Sequence, residues 1–394
     1  MYRRVWHIAA LAILAVYGTT PAQAQFRFNV EAVFMDRNDG DGGTLIEGQD
    51  SISSTPAYDF QTGYRFTLGG SFQQFDVEVI GMQIDDWDSR SSGTLVSELV
   101  LDDTADNPIV VPVIPANQLG FNALVKVAAN SADETSESER LQSVGTWFVD
   151  GTSRFRDYQV NIGTNPKQYP WQLSVGYRQL RLDETQGFGV TGTFDALDSD
   201  DAAVFGDLAN DANDSLSHGA LIDAGFSLRQ GAGDGYDAFD TDVGPDQLQL
   251  YYANSTKNTL NGAQVSGSYS LHPGDMADIS IFSRAGIYHN QMRAELGEYL
   301  IGSGNDDSMY EATIRGDKHG VAFSSSLGLK LAIPVTDYIS LTGGYEAIYV
   351  ANLALASNQN DGIEYGPLGN RRYSVQNGDK LIMHGATLGM LLTW

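Results

Sequence analysis

Lys380-Leu381-Ile382-Met383-His384-Gly385-Ala386-Thr387-Leu388-Gly389-Met390-Leu391-Leu392-Thr393-Trp394 alternates in polarity to the last residue of the chain. Counting back from Trp394, the residues Leu392, Met390, Leu388 and Ala386 share one face, while Thr393, Gly389, Thr387 and Gly385 fill most of the other. A period of two is the geometry of a β-strand, whose successive side chains point to opposite faces. The strand so defined has one apolar side and ends on an aromatic ring.

The same period recurs upstream. Phe26, Phe28, Val30, Ala32 and Phe34 oppose Arg27, Asn29 and Glu31; Tyr64, Phe66 and Leu68 oppose Arg65 and Thr67; Phe75, Val77 and Val79 oppose Asp76 and Glu78. Gly69-Gly70-Ser71 between the last two reads as a hairpin turn. Trp171, Leu173, Val175 and Tyr177 continue the pattern, as do Ala220 to Leu228, Ala263 to Leu271, Ile279 to Ile287, Val321 to Leu331 and Ile339 to Tyr349. A weaker run covers Phe155 to Gly163. Units of about ten residues have the length that crosses a bilayer at a tilt.

Short turns at Gly69, His272 and Pro334 trade places with long polar connections over 38–59, 183–217, 290–317 and 352–379. In an outer-membrane barrel short turns face the periplasm and long loops face outside, so both termini fall on the periplasmic side and the strand number is even. The expected fold is therefore all-β, a transmembrane antiparallel up-and-down β-barrel of about twelve strands, within a range of ten to fourteen. Ala220 to Leu228 with Leu248 to Tyr252 supplies an extra pair in that reading, and the 95–149 region reads as an insertion, free to fold back into the barrel. A soluble β-sandwich also alternates, but its strands are usually shorter and it gives no reason for the short-long rhythm of connections.

The opposite end of the chain agrees. Arg3 and Arg4 precede the apolar run Ile8 to Tyr17 and the small-residue site Ala22-Gln23-Ala24, which reads as a secretory signal peptide over 1–24, with the barrel over 25–394. A terminal strand ending on Trp394, with Leu392 and Met390 on the same face, resembles the signature by which the barrel-assembly machinery recognises its clients. The expected location is the outer membrane of a Gram-negative cell.

Composition narrows the function. With 50 acidic against 23 basic residues the net charge is −27, which argues against nucleic-acid binding. The chain has no cysteine, so disulfides, thiolate metal sites and cysteine nucleophiles are excluded. If the apolar faces meet lipid, the opposite faces line the lumen, and the charged lumen candidates are Glu31, Arg65, Asp76, Glu78, Arg178, Asp223, Arg284, Lys330 and Glu346. In water such charges bias ion passage; in a narrow lumen they pair and plug it.

Several motifs in order resemble the seventh family of the β-barrel porin series, described chiefly from planctomycete-type Gram-negative bacteria. They are Val30-Glu31-Ala32-Val33-Phe34, Asn258-Thr259-Leu260-Asn261-Gly262-Ala263-Gln264, Arg284-Ala285-Gly286-Ile287-Tyr288-His289-Asn290, Gly344-Tyr345-Glu346 and His384-Gly385-Ala386-Thr387-Leu388-Gly389. The resemblance implies an outer-membrane barrel with porin activity and brings no catalytic residue and no substrate.

Other chemistry is thinly supported. Asp36-Arg37-Asn38-Asp39-Gly40-Asp41 lacks EF-hand order, and Gly231 to Asp237 carries a single glycine-aspartate unit, so solvated acidic loops are expected and no metal site. Asp85, Asp86 and Asp88 around Trp87, with His289, offer carboxylates and a histidine that could activate water, but no spacing fixes them together. No Gly-x-Ser-x-Gly elbow occurs. Tyr338, Tyr345, Tyr349, Trp171, Tyr269 and Trp394 lie near strand ends, as membrane-interface anchors do.

The expected function is a porin passing small hydrophilic solutes, with a modest cation preference if Asp183 to Asp214, nine acids without Lys or Arg, overhangs the mouth. The alternative is a closed structural or adhesin-like barrel acting through its external loops. Neither reading needs a cofactor or enzymatic activity. Expected partners are outer-membrane lipid and lipopolysaccharide, the assembly machinery, small solutes and, in a homo-oligomer, further copies of the chain.

Overall fold

The computed structural model describes residues 25–38, 44–46, 52–53, 58–72, 75–101, 139–164, 171–196, 227–230, 246–273, 276–303, 308–359, 362–365 and 371–394. The expected signal peptide lies outside them, as does Asp223. Ten antiparallel strands form a closed barrel in chain order: β1 Gln25–Arg37, β2 Gln61–Ser71, β3 Phe75–Ile84, β4 Glu139–Thr164, β5 Trp171–Ala196, β6 Asp246–Pro273, β7 Asp278–Ser303, β8 Ser308–Pro334, β9 Ile339–Leu353 and β10 Asp379–Thr393. β10 pairs back onto β1, Arg27 opposite Thr393 through Arg37 opposite Met383. The terminal Trp394 is part of this seam: its N–H donates to the Phe26 carbonyl (3.0 Å), and the Phe26 N–H donates to the Trp394 carbonyl (2.9 Å). Closure leaves no open edge at membrane depth.

Gly385 explains why the seam closes in this register. A side chain there would drive its Cβ into the Phe34 carbonyl oxygen, so only glycine lets β10 approach β1.

The barrel has ten strands where about twelve were expected, and the difference lies in strand length. Leu248 to Tyr252 is not a separate strand but the start of β6, which runs 28 residues. Ser227–Gln230 pairs with the upper part of β8 outside the closed path. In the 95–149 region, Trp87–Leu101 pairs with the upper half of β4, so the described ends of this segment are arms of a ribbon. Of the connections, 290–317 is almost wholly strand, the last part of β7 and the first of β8, and 183–196 continues β5. At about 3.3 Å per residue these strands are more than twice the length a bilayer requires.

Polarity is inverted in the lower part of the barrel. Val30, Leu173, Val175, Val265, Ile287, Leu327 and Leu388 face outward and are exposed, while Asn29, Glu31, Asp76, Arg178 and Glu346 face inward and are buried. Such a belt of exposed aliphatic side chains is untenable in water and is what a barrel presents to lipid. Aromatic rings rim it. Phe26 stacks on Trp394 (6.2 Å) and meets Phe72 edge-on at the turn end, and Phe34 stacks on Phe60 (6.5 Å) at the other. The protein is thus a β-barrel of the outer membrane, with both described chain ends and the short turns on one side.

Candidate functional site: a layered lumen and its plug

Read upward from the turn end, the inner face of β1 is Arg27, Asn29, Glu31, then Val33 and Met35, then Arg37. β5 repeats this order, with Arg178 below Leu180 and Leu182 and Glu184 above them, so the lumen is layered: polar and charged below, apolar above, and polar again at the top.

In the lowest layer Arg27 donates to both oxygens of Asp76 (2.6 Å each) and to Glu78 (3.3 Å). Above it, Arg65 donates to Glu31 (2.5 Å) and Glu346 (2.7 Å), and Arg284 donates to the other Glu346 oxygen (2.9 Å). Lys330 lies within the field of Glu31 and Glu78. Next, Arg178 forks onto Asp157 (3.0 and 2.8 Å) and reaches Ser324, itself bonded to the Tyr288 hydroxyl. The carboxylates Glu31, Asp76, Glu78, Asp157 and Glu346 match the cations Arg27, Arg65, Arg178, Arg284 and Lys330 one for one. Such pairs compensate each other's charge, with one Glu31 oxygen left buried and without a hydrogen-bond partner among the described residues; Arg178 keeps 1% of its surface exposed.

Above this polar half, Val33, Met82, Ile84, Phe155, Leu180, Leu182, Leu260, Ile348, Val350, Leu381 and Met383 close into one buried apolar cluster across the lumen. The connection after β9 completes it from above. Asn352 adopts a left-handed backbone (φ 63°), which Asn tolerates, and the chain turns into the mouth, where Leu353, Ala354, Leu355 and Ala356 are buried. It returns through Gly378 (φ 120°), whose N–H donates to the Leu353 carbonyl (3.1 Å).

Side chains of the wall hold this plug by its backbone. Asn258 of β6 donates to the Ala354 carbonyl (2.8 Å) and accepts from the Ala354 N–H (2.9 Å). Lys318 of β8 donates to the Val375 carbonyl (3.0 Å). Glu184 of β5 accepts from the Ala356 N–H (3.2 Å) through one oxygen and from Arg37 of β1 (2.6 Å) through the other. Arg37 packs over the Tyr58 ring (4.3 Å) and near Trp87, so the latch is buried on every side. Within the plug, Tyr373 donates to Gln359 (2.7 Å), and burial pushes the Tyr373 phenol up from its ordinary value.

Of the charged residues expected inside, Glu31, Arg65, Asp76, Glu78, Arg178, Arg284, Lys330 and Glu346 lie on the inner wall, and Asp223 is outside the described residues. Sequence reasoning left out Arg27, Asp157, Arg37 and Glu184. The last two sit where the exterior is already polar, so a search for greasy outward faces passes over them. The carboxylate-histidine grouping is not assembled. Asp86 pairs on the exterior with Arg154, while His289 is three strands further round, stacked on His319 (5.4 Å). Of Asp183 to Asp214, the stretch 183–196 continues β5, with Asp183 on the outer wall beside Arg181 and Glu184 inside, and 197–214 lie outside the described residues. Among the described residues no group of three or more acidic or histidine side chains could hold a metal.

No protein-family model and no curated protein matches the chain. Among solved structures, the outer-membrane protease OmpT from Escherichia coli is similar over 95% of this chain and 98% of its own, at 8% identity and a TM-score of 0.34. An anion-selective porin from Comamonas acidovorans covers 94% and 99% at 8% identity and a TM-score of 0.20. The CymD monoaromatic hydrocarbon channel covers 94% and 88% at 6% identity and a TM-score of 0.26. Likeness at this level transfers no activity, and the chain stands on its own geometry as an outer-membrane β-barrel.

Proposed function

We propose that the protein is an outer-membrane barrel closed at rest, acting as a structural or adhesin-like barrel through its extramembrane end. The observation that carries this is the apolar cluster across the lumen, continuous with Leu353 to Ala356 of the plug. Neither ions nor hydrophilic solutes pass a dry aliphatic layer without its parting. The test is single-channel recording of refolded protein in a planar bilayer, with a salt gradient. Folded protein that gives no stable conductance steps supports the reading; discrete steps from the unaltered protein overturn it. Deleting 197–226 would then alter adhesion or envelope integrity, with no change in ion selectivity.

One observation favours a second reading, the porin with modest cation preference that the resemblance to the seventh β-barrel porin family implies. The plug is held to the wall by hydrogen bonds, one of them to the Glu184 carboxylate that Arg37 pairs, and the lumen below it is polar. Withdrawal of the plug with rearrangement of the apolar layer would make a solute path. Conductance that arises only in latch variants would identify this gated form.

A further inference from the structure

On the outer wall, just above the lipid belt, cations of four consecutive strands stand in a row. Arg156 of β4 is directly opposite Arg181 of β5. Lys257 of β6 is directly opposite Arg293 of β7. Thr259 faces Arg181 and Lys257 faces Asp183, so Lys257 is the diagonal neighbour of Arg181 across a carboxylate that Arg181 already engages. Like charges directly opposite on paired strands destabilise a sheet. Two such pairs side by side, with Asp183 of β5 and Asp317 of β8 as the carboxylates opposed to them, leave an excess of positive charge on this face.

The local carboxylates do not offset that excess. Arg181 is paired with Asp183 (2.7 Å), Arg293 with Asp317 (3.0 Å) and the adjacent Arg154 with Asp86. Arg156 and Lys257 have no ion pair among the described residues, and the Arg156 Nε is buried without a hydrogen-bond partner. The row therefore carries two uncompensated positive charges.

Its depth is also telling. Tyr177 donates to Asn261 (2.8 Å) at the upper edge of the belt. Arg181 is four residues on, roughly 10 Å further from the bilayer centre at a strand tilt of about 40°. Long cationic side chains reach across that interval into the headgroup layer. Below the row, across these four strands and their neighbours β3 and β8, lies an apolar groove of about 1050 Å³ lined by Val77, Val160, Val175, Ala263, Ile287 and Phe323 among others. Cations above an apolar groove match an amphiphile with an anionic head.

We propose that Arg156, Arg181, Lys257 and Arg293 bind the phosphate of a phosphorylated lipid of the outer leaflet, whose acyl chain lies in the groove beneath. Guanidinium forks suit phosphate oxygens, and the wall is not a concavity that would retain phosphate from solution. The site is independent of whether the lumen conducts.

The test uses full-length refolded protein in phosphatidylcholine vesicles doped either with lipid A bearing both phosphates or with the same lipid after their enzymatic removal. Native mass spectrometry then measures the lipid retained. The phosphorylated form is expected to be retained at least about tenfold better, as two cations near an anionic group imply. Arg156→Ala with Lys257→Ala is expected to lower that affinity about thirtyfold, each cation contributing about fivefold. Arg315→Ala, removing an exterior cation already paired with Glu295, is expected to leave it unchanged. Equal retention of the two lipids, or a folded double variant that binds as the parent does, overturns the proposal. Displacement by millimolar inorganic phosphate overturns it too, in favour of a soluble anion. If the double variant fails to fold, Arg156→Gln and Lys257→Gln are measured singly, each expected to lose about fivefold; no loss in either refutes the site.

Discussion

Glu184→Gln tests the latch that joins barrel wall to plug. The carboxylate accepts from Arg37 (2.6 Å) with one oxygen and from the Ala356 N–H (3.2 Å) with the other. The two side chains of the pair retain only 1% and 3% of their surface exposed. The glutamine keeps the shape and one acceptor but leaves the Arg37 guanidinium buried without a counter-charge. Breaking a buried pair in this way costs about 3–5 kcal/mol, whereas replacing both partners by apolar side chains is often neutral. Lifting the plug lets water reach the unpaired Arg37 guanidinium and relieves that cost, so in the variant the seated plug should lose up to roughly two to three and a half orders of magnitude in its equilibrium. The assay is limited proteolysis of 353–378 in detergent, followed by urea unfolding and by bilayer recording. Cleavage should accelerate in Glu184→Gln and return close to the parent rate in Arg37→Met with Glu184→Leu. A Glu184→Gln protein cleaved at the parent rate would refute the latch. A double variant as labile as the single one would refute the charge argument behind it.

Gly385→Val should prevent closure, because the Cβ would meet the Phe34 carbonyl; the check is loss of the compact, heat-modifiable band on gel electrophoresis, and a folded barrel would count against the seam. Asp86→Asn should change stability by at most about 1 kcal/mol, since its pair with Arg154 is exposed, and together with His289→Ala it should alter neither proteolysis nor lipid hydrolysis if such activity is detected. The raised phenol of Tyr373 is neutral in the seated plug, so its contribution is present below the ordinary value near about pH 10 and is lost as pH rises above it. Plug cleavage should therefore accelerate on passing from about pH 8 to about pH 11, and an unchanged rate would dismiss Tyr373 as a determinant.

The spanning half of the barrel was legible because one-sided contact with lipid imposes a single rule on every strand: apolar outward, polar inward. Val30 against Glu31 and Val175 against Arg178 obey it. The upper halves of the strands were read as loops because there the rule reverses. On β7 the outward residues His289, Gln291 and Arg293 are exposed while Tyr288, Met292 and Ala294 are buried; on β5, Arg181 and Asp183 lie outside and Leu180 and Leu182 inside. The alternation continues unbroken with its phase inverted, so a reading that looks for greasy outward faces sees a polar connection. The upper parts of β5, β7 and β8 therefore fall among the expected connections, and Leu248 to Tyr252, the start of β6, counts as a strand of its own, which places the expectation near twelve within its range of ten to fourteen. The plug was missed for another reason: Leu353-Ala354-Leu355-Ala356 has no period of its own, and only the Asn258 and Glu184 side chains beneath it give it a place.

The inversion links strand length to lumen closure. A paired ribbon that leaves lipid for water must bury apolar surface somewhere, and in a ten-strand barrel the only interior is the lumen. Leu180, Leu182, Leu260 and Phe155 are thus the hydrophobic core of the extramembrane part, and they fill the channel as a consequence. Phe155→Ala should accordingly cost about 3–5 kcal/mol, as a fully buried aromatic does. The loss should fall on the outer half alone. Hydrogen exchange should quicken in 180–188 and 286–296 while the seam of β1 with β10 below Val33 stays protected, its side chains being held by lipid and by the Glu31–Arg65–Glu346 network. Uniform loss of protection along β1 and β10 would mean that the two halves share one core, and closure would then need another explanation.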